Sequence, residues 1–453
     1  MMSLGFSIAV QAIAVLLFVL AIAEFITLIR GSFLLRRVAL AGRQNYTPVL
    51  LKSPMVPPVS TVAVPPDASV ESVLFARRLL ELHYGRNEVV IVLDGPSQAE
   101  MAIWNEEFHL CPSARVIAQK LPTAHIRGVY ESKDPIRVVV IDKEKGGVVD
   151  SWNAAVNACA SPVIGLLDPA SDFQPDILLR LIQPMLESAE DTVAICGGAP
   201  ARPEAGLMAR FGALESLRAW LTRGAAYSER NRTLPFPGSA SLVRRSAVVQ
   251  AGGFTGGPIE LFMRLHGVCL AAGKPYRILF LPDAVSQART SATRADLHRR
   301  VVLDQQEIAG AFRRRITLAG PFGWSILSNL FYSRVFRPWL ETAGYAIGIV
   351  GLLLGWVSIP AFLLLLLASV GMGIVLSMAA VVLRELAEPN SPDEGRMTAL
   401  FFAAIPENLG YRQLRNLWLI AGFRALVPTA EKTNRGKMNE DHPPAVSAAS
   451  GSI

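Results

Sequence analysis

Two aspartates stand where a bound ligand would be met. Asp94 closes the run Val89-Val90-Ile91-Val92-Leu93, and Asp168 follows Val163-Ile164-Gly165-Leu166-Leu167. Short apolar runs rich in β-branched residues read as buried strands, and in parallel α/β sheets ligands sit beyond the strands' carboxyl ends. A carboxylate at that place can contact a ligand, or hold a divalent cation that keeps waters and substrate phosphates. It can equally cap a helix or close a turn, so each aspartate alone carries both readings. Between them lies a polar stretch, Asp142-Lys143-Glu144-Lys145-Gly146-Gly147-Val148-Val149-Asp150-Ser151-Trp152-Asn153. Farther on come Gly252-Gly253-Phe254 and Glu260-Leu261-Phe262-Met263-Arg264-Leu265-His266.

Elements able to position these groups are visible around them. Residues 61–64 and 138–141 are two further β-branched runs, and residues 71–82, 148–160 and 176–187 show helical spacing. Alternating strands and helices predict an α/β domain over 56–309, with a mostly parallel sheet and covering helices.

Composition places this domain beside a membrane. Half the 453 residues (51%) are hydrophobic and 18% are charged, below the quarter usual in soluble domains. Residues 3–29 are long and apolar enough to span a bilayer and hold one charge, Glu24. Ala21-Ile22-Ala23 resembles a cleavage site, but no basic residue precedes the apolar run while Arg30, Arg36, Arg37 and Arg43 follow it. That favours an uncleaved anchor with its far end in the cytoplasm. Residues 342–383 carry no charge and suit two helices turning near Pro360. Arg334 and Arg337 before them and Arg384 after them put both ends of this hairpin on the cytoplasmic side. Residues 409–423 form a basic amphipathic stretch expected to lie on the membrane, and a third crossing within 397–423 is left open. The polar tail past Pro428 reads as disordered. The expected order is anchor 1–30, basic linker 31–55, domain 56–309, interfacial segment 310–341, hairpin 342–384, amphipathic segment 385–427 and tail 428–453. Cys111, Cys159, Cys196 and Cys269 are scattered, as buried thiols would be. The excess of seven positive charges gathers beside apolar segments rather than in a stripe, which argues for the bilayer as partner and against nucleic acid.

In order and spacing these motifs resemble the landmarks of bacterial membrane-bound family 2 glycosyltransferases. Arg127-Gly128-Val129-Tyr130, Pro275-Tyr276-Arg277-Ile278, the segment Glu407-Asn408-Leu409-Gly410-Tyr411-Arg412-Gln413-Leu414 and Gly436-Lys437-Met438 add to the likeness. The resemblance implies a GT-A fold, a nucleotide-sugar donor, Mg²⁺ or Mn²⁺, and inverting transfer to a glycan or lipid acceptor. It also implies a multi-pass place in the bacterial inner membrane and work on envelope polysaccharide or glycolipid. Carried over residue by residue, Asp94, Gly146, Gly147, Asp150, Asn153 and Asp168 would bind the donor, with Asp168 on the metal.

The departures from the family pattern fall at its chemical positions. Its first strand ends in Pro-Ala, an aromatic or Arg, then Asn-Glu; here Pro65-Pro66-Asp67-Ala68-Ser69 stands there. Asp-Asp-Gly-Ser becomes Leu93-Asp94-Gly95-Pro96, Gly-Gly-Lys becomes Gly146-Gly147-Val148, and Asp-x-Asp becomes Asp168-Pro169-Ala170. The Glu-Asp pair that supplies the base becomes Gly257-Pro258, and Gln-x-x-Arg-Trp becomes His298-Arg299-Arg300-Val301-Val302. Ala170 weakens a cation site, although Asp172 would replace the lost ligand if its stretch turns back; otherwise it faces solvent. Proline cannot take a proton from an acceptor hydroxyl. Glu260, two positions on, points to nearly the opposite side of a helix and reads as a surface carboxylate. His298 could make a polar contact in place of the glutamine, or simply lie on the surface. The expectation is a glycosyltransferase-like membrane protein with impaired or lost transfer. It would serve as partner or scaffold to another glycosyltransferase or to a polysaccharide polymerase or export protein. The alternative is an active, divergent transferase with Asp94 and Asp168 on the donor.

Overall fold

The computed structural model describes residues 2–41, 49–50, 53, 56–67, 69–133, 138–188, 190–202, 206–229, 231–236, 238–282, 286–290, 293–313, 331–387 and 394–424. Arg43, Ala68, Gly436-Lys437-Met438 and the tail beyond Pro428 lie outside the described residues.

The β-branched runs form the sheet expected of them. In chain order the strands are β1 Val59–Ala63, β2 Asn87–Asp94, β3 Leu110–Pro112, β4 Ile126–Ser132, β5 Val138–Lys143, β6 Val163–Leu166, β7 Ser171–Phe173, β8 Thr192–Gly197, β9 Ala240–Arg244, β10 Arg277–Leu281 and β11 Ser286–Ala288. Nine of them make one sheet in the order β10-β8-β9-β6-β1-β2-β5-β4-β3, and β7 pairs with β11 in a small second sheet. β6, β1, β2 and β5 are mutually parallel neighbours, while β4 and β9 run the other way. Asp94 therefore ends β2, Asp168 lies just past β6, and β1 separates them on one carboxyl edge.

Strand alternation divides the interior into two layers. Val59, Ala63, Val89, Ile91, Leu93, Val138 and Val140 pack with Phe75, Leu79, Trp104, Ile177 and Leu178 from covering helices. Val62, Val90, Val92, Val139 and Ile141 face the other way, against Ala154, Ala155 and Trp220. Ala21, Leu28 and Leu35 of the first helix belong to that same second layer, together with Leu376, Ala380 and Leu400. The apolar helices and the sheet domain thus share a core.

Helix boundaries depart from the sequence reading in two places. The first helix spans Met2–Ala41, so Arg36 and Arg37, read as linker, continue the helix that holds Arg30. Arg, Leu and Ala are strong helix formers, and nothing in Gly31–Ala41 breaks the pattern. The hairpin's first arm, Arg337–Leu353, begins before the uncharged stretch, and its turn forms at Gly355 (φ +70°). Pro360 opens the second arm, where a missing N–H costs nothing. Among the described residues two helices are long and apolar enough to cross a membrane, Ser3–Val38 and Ile359–Ala387.

The first helix meets the domain through a close approach at Gly31. A Cβ there would lie 2.1 Å from the carbonyl oxygen of Leu221. Gly31→Val should force the helix off this seat at a cost of about 1–3 kcal/mol. Intrinsic-fluorescence melts of the detergent-solubilised protein would show it as a lowered Tm, and an unchanged Tm would mean that the contact is dispensable.

Candidate functional site

The carboxyl edge of the sheet is organised by a buried lysine. Register pairs Lys143 with Asp94 across β5 and β2. Lys143 is fully buried, and its Nζ donates to Asp94 Oδ1 at 2.5 Å and to the Glu144 carbonyl at 2.9 Å. It also ion-pairs with Asp150 Oδ1 at 2.7 Å. Two of the ammonium's three protons are thus placed in hydrogen bonds, and Asp150 adds a second carboxylate charge beside it.

The rest of the motif stretch fits around this centre. Asp94 accepts the Gly146 N–H on Oδ1 (2.8 Å) and the Gly147 N–H on Oδ2 (2.9 Å), while Asp150 Oδ2 accepts the Ala124 N–H (2.8 Å). Partial burial opposes the Asp94 charge, but the Gly146 N–H, the Lys143 ammonium and the Gly147 N–H outweigh it and hold the pKa below the usual value. Both glycines are sterically required. Gly147 turns at φ +91°, and a Cβ on Gly146 would sit 2.7 Å from the Asp150 carboxylate. Asp94, Gly146, Gly147 and Asp150 are thus brought together, with Lys143 as a member the motif comparison overlooked. Its place at a strand end, next to charged Glu144 and Lys145, reads as solvent-facing.

Asn153 does its work deeper in the domain. Its Oδ1 accepts the Phe254 N–H at 2.7 Å and its Nδ2 donates to the Phe254 carbonyl at 3.0 Å. Trp152 stacks on the Phe254 ring with centroids 5.2 Å apart. Gly252 and Gly253 take φ +77° and +74°, and a Cβ on Gly253 would meet Asn153 Oδ1 at 2.4 Å. Asn153 is the clamp that shapes the Gly252-Gly253-Phe254 turn.

The two remaining aspartates do not converge. Asp168 Oδ1 folds back onto the Ala170 N–H at 2.9 Å, closing a local turn. Asp172 is exposed on β7 and is held by Arg289 at 3.0 Å and Arg78 at 3.5 Å. Among the described residues no three His, Cys, Asp or Glu side chains gather as in an all-protein cation site. Asp172, neutralised by two guanidiniums, does not suit a divalent ion.

At the position of the missing base the structure supplies another carboxylate. Gly257 and Pro258 start the helix Pro258–Ala271, and Glu307 Oε1 accepts the N–H of Ile259 at 2.5 Å and of Glu260 at 3.3 Å. A Cβ on Gly257 would lie 2.4 Å from Glu307 Cδ, so the absent side chain makes the room that Glu307 fills. Burial, then the nearby Asp304, push the Glu307 pKa up to about 7. Sequence pattern gave no hint of Glu307, which lies beyond every motif; the uncapped Gly257-Pro258 helix start is the one trace of it. Glu260, read as a surface carboxylate, is 1% exposed and accepts the Thr255 hydroxyl instead. His298 is exposed and lies edge-on to Trp418, with ring centroids 5.0 Å apart.

Two measurements test this arrangement. Lys143→Met should cost about 3 kcal/mol, because it strips two part-buried carboxylates of their cation; denaturant titration would read it. Glu307 keeps a proton in the folded chain that the unfolded chain releases. Stability should therefore fall as pH rises from about 4.5 to about 7. In Glu307→Gln that slope should flatten, which melts across the pH series would detect.

No protein-family model matches the sequence, and no curated protein matches it. Solved structures do. A mannosyltransferase from Pyrobaculum calidifontis, solved with GDP-mannose and Mn²⁺, superposes with a TM-score of 0.50 at 16% identity, over 89% of this chain and 99% of its own. Glucosyl-3-phosphoglycerate synthase from Mycobacterium tuberculosis with uridine diphosphate gives 0.33 at 15% identity, over 58% and 82%. The same enzyme with Mn²⁺, UDP-glucose and phosphoglyceric acid gives 0.35 at 16% identity, over 62% and 87%. The mannosyltransferase matches nearly end to end, and this chain has the GT-A-type fold of glycosyltransferases.

Proposed function

We propose that this chain is a membrane-anchored GT-A protein that has lost inverting sugar transfer and serves as a partner in glycan or glycolipid assembly at the bacterial inner membrane. The observation that carries it is the closure of the Asp94 carboxylate by Lys143, Gly146 and Gly147. A donor diphosphate needs cationic or N–H groups left open to it, and at this edge they already serve internal carboxylates. The local turn at Asp168, the arginine-bound Asp172 and Pro258 at a helix start point the same way. The arginines that follow the first apolar stretch, within the same helix, support an anchor with the sheet domain in the cytoplasm. The partner would be another glycosyltransferase or a polysaccharide polymerase or export protein.

One observation favours a second reading, an active and divergent transferase. Glu307 places a carboxylate that titrates near neutrality at the helix start where the family keeps its base. Incubating the purified full chain with nucleotide-sugars and Mn²⁺ or Mg²⁺ separates the two. The first reading expects no turnover and stable co-purification with a transferase or export component. Turnover abolished by Asp168→Ala and lowered about a hundredfold or more by Glu307→Gln would establish the second.

A further inference from the structure

A cavity of about 230 Å³ lies where the first helix, the second apolar helix and the sheet domain meet. Six arginines line it: Arg218, Arg223, Arg334, Arg337, Arg412 and Arg415. Four are matched within the wall. Arg337 pairs with Glu24 and Glu341, Arg412 with Glu341 (2.6 Å), Arg218 with Glu407 (2.5 Å) and Arg415 with Glu215 (2.7 Å). Arg223 and Arg334 share one carboxylate, Asp304, at 3.4 and 2.7 Å. Six guanidiniums thus face five carboxylates.

The surplus charge localises at Arg334. This residue is 8% exposed, and its Nη1 is buried without a hydrogen bond, 3.9 Å from a Glu215 carboxylate that already serves Arg415. Burial, with Arg223 and Arg415 close by, pushes its pKa down to about 10 despite Asp304. Leaving a buried guanidinium N–H unpaired is costly, and a phosphoryl group is the partner whose oxygens match its fork.

Three wide π-type helical turns carry cavity residues: Trp220–Ala226 holds Arg223, Tyr332–Phe336 holds Arg334 and Glu407–Tyr411 holds Glu407. Such turns disturb the helix ladder and occur often at functional sites. Leu20 and Ala23 of the first helix and Leu376 of the second form the apolar side of the wall, on the two helices able to cross a membrane. A smaller hollow of about 60 Å³ shares Glu215, Arg223 and Arg334 and reaches Thr290 and Arg300. Next to Thr290, the Arg289 N–H donates to the Ala170 carbonyl beyond Asp168 at 3.1 Å.

We propose that Arg223 and Arg334 bind the phosphoryl headgroup of a membrane lipid in this cavity. The lipid source rests on the membrane anchoring proposed above; phosphoryl recognition does not, nor does it depend on whether sugar is transferred. Full-length protein would be placed in phosphatidylcholine nanodiscs with and without phosphatidic acid, and retained lipid counted by native mass spectrometry. Wild type should retain phosphatidic acid, Arg334→Gln should hold it about tenfold more weakly, and Arg334→Lys should recover part of the loss. Equal retention by wild type and Arg334→Gln would overturn the site. Should Arg334→Gln fail to fold, phosphorus NMR of wild type alone decides: a distinct immobilised resonance is expected, and its absence overturns the proposal. Inorganic phosphate should displace the lipid poorly; displacement at matching concentration would assign the cavity to a soluble anion and overturn the lipid source. Extraction of the chain from membranes by carbonate would instead defeat the anchoring, leaving phosphate binding to be read on its own.

Discussion

An ammonium group sealed from water at the end of β5 governs the edge of the sheet where a sugar donor would lie. Lys143 cannot be left without partners at zero exposure, so two carboxylates and a carbonyl close around it. Those carboxylates in turn need further donors, which the Gly146-Gly147 turn and Ala124 provide. The result is a polar network directed inward. Groups that a transferase would aim at a diphosphate hold β2, β5 and the following helix together instead.

The same logic runs through the second half of the domain. Asn153 and Gly253 fit each other so closely that neither position tolerates bulk, and the turn they shape leads into the helix that Glu307 caps. Motif residues here thus hold the fold together through their own contacts. The missing side chain at Gly257 leaves room for a carboxylate from another helix, so that helix start has an acceptor for its backbone donors.

Much of this was legible in the residues themselves. Val89–Leu93 and Val138–Ile141 announce strands because β-branched apolar runs have few other places to go, and the carboxyl-edge rule follows from parallel pairing. The Gly-Gly pair and the aspartates around it were found as a motif, though not the lysine that organises them, since burial of a charge is decided by distant partners. Glu307 and Glu260 were misjudged or missed for that reason: one caps a helix 47 residues upstream of it, and the other is covered by its own loop. Arginines that mark a membrane border say nothing about where helical hydrogen bonding stops, and the first helix runs on past them to Ala41.

The reach of that first helix has a mechanical corollary. Forty residues at 1.5 Å each extend about 60 Å, roughly twice the hydrocarbon thickness. The inner half is therefore a stiff mast embedded in the flank of the sheet, seated at Gly31 and Leu221. A domain on a floppy tether would sample every heading; this one is held at a single bearing to its own helix.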